Sequence, residues 1–257
     1  MRAEQKNNNP MASQGSCFNG ATTASADSLS SYVVAGLCSA AVISGLAWPV
    51  TASAGPITGQ GGIASEYLGK GLGKSDEDPA VFGSIRWESS GLYASGFASQ
   101  AASSRGADAE IIGAVGYARD INAWSFDGQV MYRQMTGETN GIDSGYFEFQ
   151  ADVSLDVTDS LAGRIRVNYA PDTYGTGEVA WWTEAQGTLK LTANDKLSGA
   201  YALRRIENGA DYNAWNIGLK HKFTSAVAAD VRWYDTDSHA LGSRYEGRLV
   251  GSLSYSF

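Results

Sequence analysis

The sequence has little of what builds disulfide-stapled, metal-binding or nucleic-acid-binding proteins. Its only two cysteines, Cys17 and Cys38, lie within the first forty residues, and no CxxC pattern or nearby histidine accompanies them. A zinc site needs four such ligands, so these cysteines do not form one. Lys and Arg total 19 against 27 Asp and Glu, a net charge of -8. This balance argues against a nucleic-acid partner, because such binding depends on clustered basic residues.

Long apolar runs are also missing beyond Gly55, where no stretch of 18 apolar residues occurs. Transmembrane helices are therefore excluded from that part of the chain. The longest apolar stretch, Tyr32–Val50, is followed by Ala52-Ser53-Ala54. This is the pattern of a secretory signal with a small-residue cleavage site, and the alternative, a membrane anchor, is disfavoured by the glycines and proline of the stretch. We predict that residues 1–54 are a removed signal segment and that residues 55–257 form the mature protein.

Alternating apolar and polar residues dominate the sequence after Gly61. In Tyr146–Val157, for example, Phe147 and Phe149 alternate with Glu148 and Gln150, which places the two sets on opposite faces of a strand. The pattern predicts about twelve strands of roughly the 9–11 residues that a tilted strand needs to cross a bilayer, in an all-β, transmembrane antiparallel barrel. The predicted strands are Ile63–Lys70, Ala80–Glu88, Leu92–Ser99, Glu110–Ala118, Trp124–Tyr132, Tyr146–Val157, Leu161–Tyr169, Val179–Leu191, Leu197–Arg205, Tyr212–Phe223, Val227–Tyr234 and Tyr245–Phe257.

Short and long connections also alternate along the chain, which is the layout of outer-membrane barrels. A soluble sandwich or lipocalin-like barrel is the alternative, since it has the same period. The export signal, together with Trp and Tyr near the strand ends, favours the membrane barrel. The chain ends on an alternating strand with Tyr255 and Phe257, as outer-membrane proteins generally do. We therefore expect the barrel-assembly machinery, outer-membrane lipid and lipopolysaccharide as partners.

Two stretches at the ends of the predicted barrel resemble the TorF-type porin family of Gram-negative outer membranes. They are Ser65–Ala80 (SEYLGKGLGKSDEDPA) and Trp215–Asp237 with the final LSYSF, and Gly91–Ser99 (GLYASGFAS) is similar to a further family stretch. Two departures are Lys70, where an Arg is usual, and Gln100, where an Asn is usual. The resemblance implies a pore and brings no catalytic residues.

Charged residues occupy the polar face of the predicted strands. An aqueous pore for small polar solutes or ions is one interpretation, and a structural or surface-binding barrel, plugged by Arg–carboxylate pairs across the lumen, is the other. A twelve-stranded barrel lies between the filled eight-stranded and the open sixteen-stranded kinds. The residues predicted to line the lumen are Arg133, Glu148, Asp152, Arg164, Arg166, Glu184, Lys190, Arg204, Lys220, Asp230, Arg232, Glu246 and Arg248.

The predicted outer loops are strongly acidic. These loops contain only two basic residues, Lys74 and Arg105. Such loops could hold divalent cations that bridge lipopolysaccharide phosphates, or they could simply be solvated, which we favour. The acidic residues are Asp76, Glu77, Asp78, Asp108, Glu138, Asp143, Asp172, Glu178, Glu207, Asp211, Asp235 and Asp237.

The remaining enzymatic alternative is an omptin-type protease, in which acidic residues and a histidine on facing loops activate a water molecule. Asp237-Ser238-His239 and Asp76-Glu77-Asp78 offer those residue types. Neither histidine is part of the His-x-Ser pair of a lipase-type barrel. We expect no enzymatic activity, no cofactor and no metal.

Overall fold

A computed structural model describes residues 56–102, 106–137, 144–174 and 177–257. The predicted signal segment, residues 1–54, lies outside the described residues, as do Arg105, Glu138 and Asp143 of the predicted outer loops.

The described residues form a closed antiparallel barrel of twelve strands, so the predicted fold class is confirmed. Each strand pairs with its neighbour along the chain, and β1 pairs with both β4 and β14 to close the barrel. A two-stranded hairpin, β2 (Leu68–Gly69) and β3 (Leu72–Gly73), is separate from the barrel sheet. The barrel strands are β1 (Ile57–Ala64), β4 (Ala80–Ser89), β5 (Leu92–Gln100), β6 (Ala109–Ile121), β7 (Trp124–Thr136), β8 (Gly145–Asp156), β9 (Leu161–Ala170), β10 (Ala180–Lys190), β11 (Asp195–Ile206), β12 (Tyr212–Lys222), β13 (Val227–Thr236) and β14 (Arg248–Ser256).

The two rims of the barrel differ in how the strands are joined. One rim holds the start of β1 and the end of β14, and the turns on this rim are tight. In the turn between β4 and β5, Ser90 and Gly91 both have positive φ. Two successive positive φ values match the twist of a hairpin turn. Gly91 is also required by space, because a Cβ there would lie 2.5 Å from the Ala118 carbonyl oxygen. The other rim carries mostly longer connections, including two 3-10 turns, His239–Leu241 and Ser243–Tyr245. We call these the short-turn rim and the long-connection rim.

The barrel is apolar outside, and its inner wall is mostly polar. On β8, the side chains of Phe147 and Phe149 are 55% and 45% exposed, whereas Glu148 is fully buried and Gln150 is 6% exposed. A soluble barrel has the opposite arrangement, because water outside it favours a polar surface. Large apolar residues exposed on every barrel strand make a belt that suits a hydrocarbon environment.

No helix among the residues that the structure describes is long and apolar enough to cross a membrane.

The predicted first strand, Ile63–Lys70, is wrong. The observed strand β1 ends at Ala64, and its register places Gly61 beside both Tyr255 and Gly83. The closure continues to the end of the chain, where Gly59 and Phe257 exchange backbone hydrogen bonds of 2.8 and 2.9 Å. The strand therefore starts earlier than predicted, and it is Ile57–Ala64 that pairs with both neighbours, β4 and β14. Residues 65–79 are thereby released from the wall, and we call them the lumen segment.

Candidate functional site

The lumen segment begins at the long-connection rim and folds back inside the barrel. Its β2–β3 hairpin turns at Lys70 and Gly71, which both have positive φ. Glycine is required at the tip for a second reason, since a Cβ on Gly71 would lie 2.6 Å from the Cβ of Ala214 on β12. The hairpin tip therefore touches the inner wall.

An apolar patch on the inner wall anchors the first part of the lumen segment. Tyr67 and Leu68 are buried, Leu68 completely, in a cluster that includes Phe97 and Ile112. The Tyr67 and Phe97 ring centroids are 5.8 Å apart. Burying a leucine side chain is worth about 1.5–3 kcal/mol, so this contact contributes substantially to docking.

Ion pairs attach the lumen segment to three different strands. The Arg248 guanidinium on β14 pairs with Glu66 at 2.6 Å, and Lys74 pairs with Glu110 on β6 at 2.6 Å. Lys70, at the hairpin tip, pairs with Glu148 on β8.

Further hydrogen bonds extend this attachment to β12 and to the β13–β14 connection. The Tyr212 hydroxyl donates to the Lys70 carbonyl oxygen at 2.8 Å, and Arg244 Nε donates to the Gly73 carbonyl oxygen at 2.9 Å. Because these partners lie on both sides of the barrel, the segment crosses the lumen.

Burial alters the titration of the lumen segment. It lowers the pKa of Lys70 to about 7, although Glu148 acts in the opposite direction. Burial likewise lowers the pKa of Lys74, against the effect of Glu110, and raises the pKa of Glu66, against that of Arg248. In each case the loss of hydration disfavours the charged form.

The wall of the lumen on β8, β9 and β10 is a network of paired charges. Arg166 donates to both carboxylate oxygens of Asp152, with Nε at 2.8 Å and Nη2 at 2.5 Å. Arg164 pairs with Glu184 and donates to Gln186 at 2.6 Å. These charge-assisted bonds hold the side chains in fixed orientations along the wall.

A small cavity lies between the hairpin tip and this wall. Lys70 and Gly71 line it on the segment side, and Glu148, Arg166 and Trp182 line it on the wall side. The hairpin tip and the charged wall therefore face one another across this cavity.

Of the thirteen residues predicted to line the lumen, nine are buried. The apolar residues that alternate with them on the same strands are exposed on the outside of the barrel. Asp152 and Arg248 keep about a tenth of their side-chain surface exposed. Lys190 is exposed at the end of β10, on the short-turn rim. The nine buried residues are Arg133, Glu148, Arg164, Arg166, Glu184, Arg204, Lys220, Asp230 and Arg232.

Glu246 does not line the lumen as predicted, because it is exposed and precedes β14 instead of lying within it. The predicted strand Tyr245–Phe257 begins too early, since residues 243–245 form a 3-10 turn. Tyr255 and Phe257, predicted as the assembly signal, are both exposed, at the short-turn rim.

Sequence reasoning missed Glu66, Lys70 and Lys74 as lumen residues, and it placed Lys74 in an outer loop. A signal was present: the predicted strand Ile63–Lys70 has Ser65, Tyr67 and Gly69 on one face, which is a poor lipid-facing set. Asp76, Glu77 and Asp78 of the same segment are exposed, in keeping with their predicted loop position.

The residues offered for an omptin-type site have other partners. His239 Nε2 lies 2.7 Å from the Asp235 carboxylate. The Asp237 carboxylate accepts hydrogen bonds from the Asn213 backbone at 2.8 Å and its side chain at 2.5 Å, and from Ser238. Within the part of the chain that the structure describes, no group of three or more His, Cys, Asp or Glu side chains is arranged to hold a metal ion.

Solved structures of similar fold are outer-membrane porins. The KdgM porin is 10% identical in sequence with a TM-score of 0.56, and the match covers 79% of this chain and 99% of that chain. The NanC porin is 13% identical with a TM-score of 0.55 and the same coverage of the two chains. These likenesses show the fold alone.

No curated protein sequence matches the chain. Residues 49–251 match the family model described as "Bacterial protein of unknown function (Gcw_chp)". This match includes almost the whole barrel, so the chain belongs to the Gcw_chp family.

Proposed function

We propose that the chain forms a porin-like channel in the outer membrane of a Gram-negative bacterium and lets small polar solutes or ions pass passively. The observation that carries this proposal is the lumen, whose walls are charged while the outside of the barrel is apolar. Charged walls such as Arg164 and Arg166 favour a hydrated lumen, whereas an apolar lumen could lose its water. Passive permeation needs such a hydrated path.

The lumen segment supports a selective channel instead of a wide one. It enters from the long-connection rim and is attached on β6, β8, β12 and β14, so it narrows the path on that side. A cavity lined by Lys70 and Trp182 lies against the hairpin tip. A solute that crosses the barrel meets the paired charges of this region.

The resemblance to the TorF-type porin family supports the same proposal. The stretch that carries it, Ser65–Ala80, contains the whole lumen segment. The motif therefore coincides with the feature that narrows the lumen. We propose that the family motif encodes this inward fold.

The proposed surroundings of the barrel follow from its outer surface. We propose that outer-membrane lipid and lipopolysaccharide contact the apolar belt. Tyr255 and Phe257, which are exposed at the closing strand, are proposed to serve recognition by the barrel-assembly machinery.

A closed structural or surface-binding barrel is the second candidate. It is favoured by the lumen segment itself, since Tyr67 and Leu68 are firmly buried and the segment's charges are paired. Proteolysis is a weaker third candidate, because Asp237 and His239 are bonded to other partners. Asp237→Asn with His239→Ala is expected to leave proteolysis at background, and a robust activity that the double change abolishes would contradict the channel as the main function.

Planar-bilayer recording tests the channel. Refolded residues 55–257 are expected to give discrete conductance steps. A matched variant, in which a short Gly-Ser-Gly linker replaces residues 66–78 between β1 and β4, is expected to give larger steps because the narrowing element is removed.

The two proteins together separate the candidates. Steps in both proteins, larger in the variant, support the channel with an internal constriction. Steps in the variant alone mean that the parent barrel is closed by its segment, which refutes passive permeation. Silence in both proteins, with a folded barrel verified by its heat-dependent migration on a gel, favours the structural barrel.

A further inference from the structure

Positive charge exceeds negative charge where the lumen segment meets the wall. Four cations, Lys70, Lys74, Arg133 and Arg204, surround two carboxylates. We call this set, with Glu110 and Glu148, the cationic cluster. Glu66, another carboxylate of the lumen segment, is already paired with Arg248.

The carboxylate oxygens of the cationic cluster are occupied by donors other than Arg204. Glu110 accepts from Arg133 on Oε1, at 2.7 and 3.0 Å, and from Lys74 and Tyr67 on Oε2, at 2.6 and 2.7 Å. Glu148 accepts from Lys70 on Oε2 and from the neighbouring amide of Asn168 on Oε1, at 2.6 Å.

One nitrogen of Arg204 is left without an acceptor. It is 8% exposed, and its buried Nη1 has no hydrogen-bond partner among the described residues. Its cross-strand neighbours are Trp182 on β10 and Tyr212 on β12, neither of which carries a negative charge. A buried guanidinium nitrogen without an acceptor is costly, because it has lost the hydrogen bond that water provides.

Arg204 lies close to the hairpin tip of the lumen segment. Tyr212, its neighbour, donates to the hairpin tip at Lys70, and Arg204 acts electrostatically on both Lys70 and Glu148. The lowered pKa of Lys70 agrees with this, since Arg204 and Arg133 add to the effect of burial there.

We propose that the cationic cluster is a binding site for a small oxyanion, a carboxylate or a phosphate, with Arg204 as its principal donor. The planar guanidinium presents paired N–H groups that match two oxygens of such an anion, whereas a spherical halide engages them less well. One bound oxyanion neutralises charge that the protein's own carboxylates leave uncompensated. The site gives the proposed channel a preference for anionic solutes. This role of the site rests on the proposed function, whereas anion binding itself does not.

The test uses inorganic phosphate as the probe on the detergent-solubilised full chain. Binding is measured by broadening of the phosphorus-31 resonance, with potassium chloride holding the ionic strength constant. Saturable broadening is expected in the parent. Because a hydrogen bond between charged groups is lost, Arg204→Gln is expected to weaken binding by at least about tenfold.

Arg205→Gln is the matched control. Arg205 is the next residue on β11, but its side chain is 45% exposed and lies 3.6 Å from Asp211 near the long-connection rim. This change removes the same charge from the protein and is expected to leave phosphate binding unchanged. Equal losses in the two variants would mean that only the general charge of the protein matters, and would overturn the proposal.

Competition and a conservative variant complete the test. Acetate is expected to displace phosphate, since both are oxyanions, and equal displacement by added chloride at the same concentration would overturn the oxyanion assignment. If Arg204→Gln does not fold, Arg204→Lys keeps the charge but removes the fork, and phosphate binding equal to the parent's would again overturn it. A parent without saturable broadening means that lumen water alone hydrates Arg204, which would overturn the site itself.

Bilayer recording separates this inference from the channel. Phosphate binding without conductance would refute the channel and leave the site. Conductance without phosphate binding would refute the site and leave the channel.

Discussion

Release of the lumen segment is the perturbation that most directly tests how this barrel controls its lumen. Leu68→Ala removes the one side chain of the segment that is completely buried, in the apolar patch with Phe97 and Ile112. It leaves the three ion pairs of the segment chemically intact. The barrel strands lose no backbone hydrogen bond, because Leu68 pairs only with Gly73 of the hairpin.

The size of the effect follows from the burial. Replacing a fully buried leucine by alanine costs about 2–5 kcal/mol, depending on how far the neighbours close the gap. If the cost falls on docking, the ratio of docked to released segment decreases by a factor of about 30 at the lower limit and about 4000 at the upper, at about 1.4 kcal/mol per tenfold.

Single-channel recording measures this ratio as the fraction of time spent in the larger conductance step. We expect Leu68→Ala to raise that fraction at least tenfold over the parent. Glu77→Ala is the control, because Glu77 belongs to the same segment but is exposed. If Leu68→Ala gives the step sizes and dwell times of the parent and of Glu77→Ala, while the barrel remains folded, the segment does not form the constriction.

Three further predictions address charge, pH and orientation. Arg164→Glu with Arg166→Glu is expected to shift the reversal potential in a salt gradient toward cation preference. The shift should become smaller as the salt concentration rises from about 0.1 M to about 1 M, because the screening length falls from about 10 Å to about 3 Å. An unchanged reversal potential would mean that these side chains do not face the ion path. Burial lowers the pKa of Lys70 to about 7, so above that pH the docked segment binds fewer protons than a released segment does. Raising the pH from about 7 to about 9 should therefore favour the docked segment and lower the conductance. Lys70→Met should weaken this pH dependence, and an identical profile would exclude Lys70 as its source. A protease-cleavable tag at Gly141, which lies outside the described residues, should be cut on intact cells and one at Ser160 protected, whereas the reverse result would invert the barrel in the membrane.

Period-two alternation in the sequence is enough to determine most of the barrel wall. On β8 and β9 it separates Phe147 and Phe149 from Glu148, and it places Arg164 and Arg166 on one face. Such assignments are robust because a shift of one residue would turn every side chain of the strand to the wrong environment. Tight turns with glycine and asparagine, and the balance of short and long connections, also indicate the strand number and the two rims.

The ends of strands are less well determined by pattern, because the alternation fades where residues leave the membrane. Glu246 has the parity of the lumen-facing residues of β14, but the strand begins only at Arg248. Lys190 shares the parity of Glu184, yet it lies at the exposed end of β10. Parity alone does not show how far a wall extends.

Only the tertiary structure decided where the barrel closes and what lies within it. The register of β1 depends on β14, almost two hundred residues away along the chain, and no local pattern contains that information. Once β1 is formed by Ile57–Ala64, the next fifteen residues must lie elsewhere, and the apolar patch on β4–β7 gives Tyr67 and Leu68 a place inside. The sequence alone predicted Arg204 as one of many lumen charges. That its buried Nη1 is left without an acceptor, while Lys70 and Arg133 use the available carboxylates, is a consequence of packing between elements far apart in the chain.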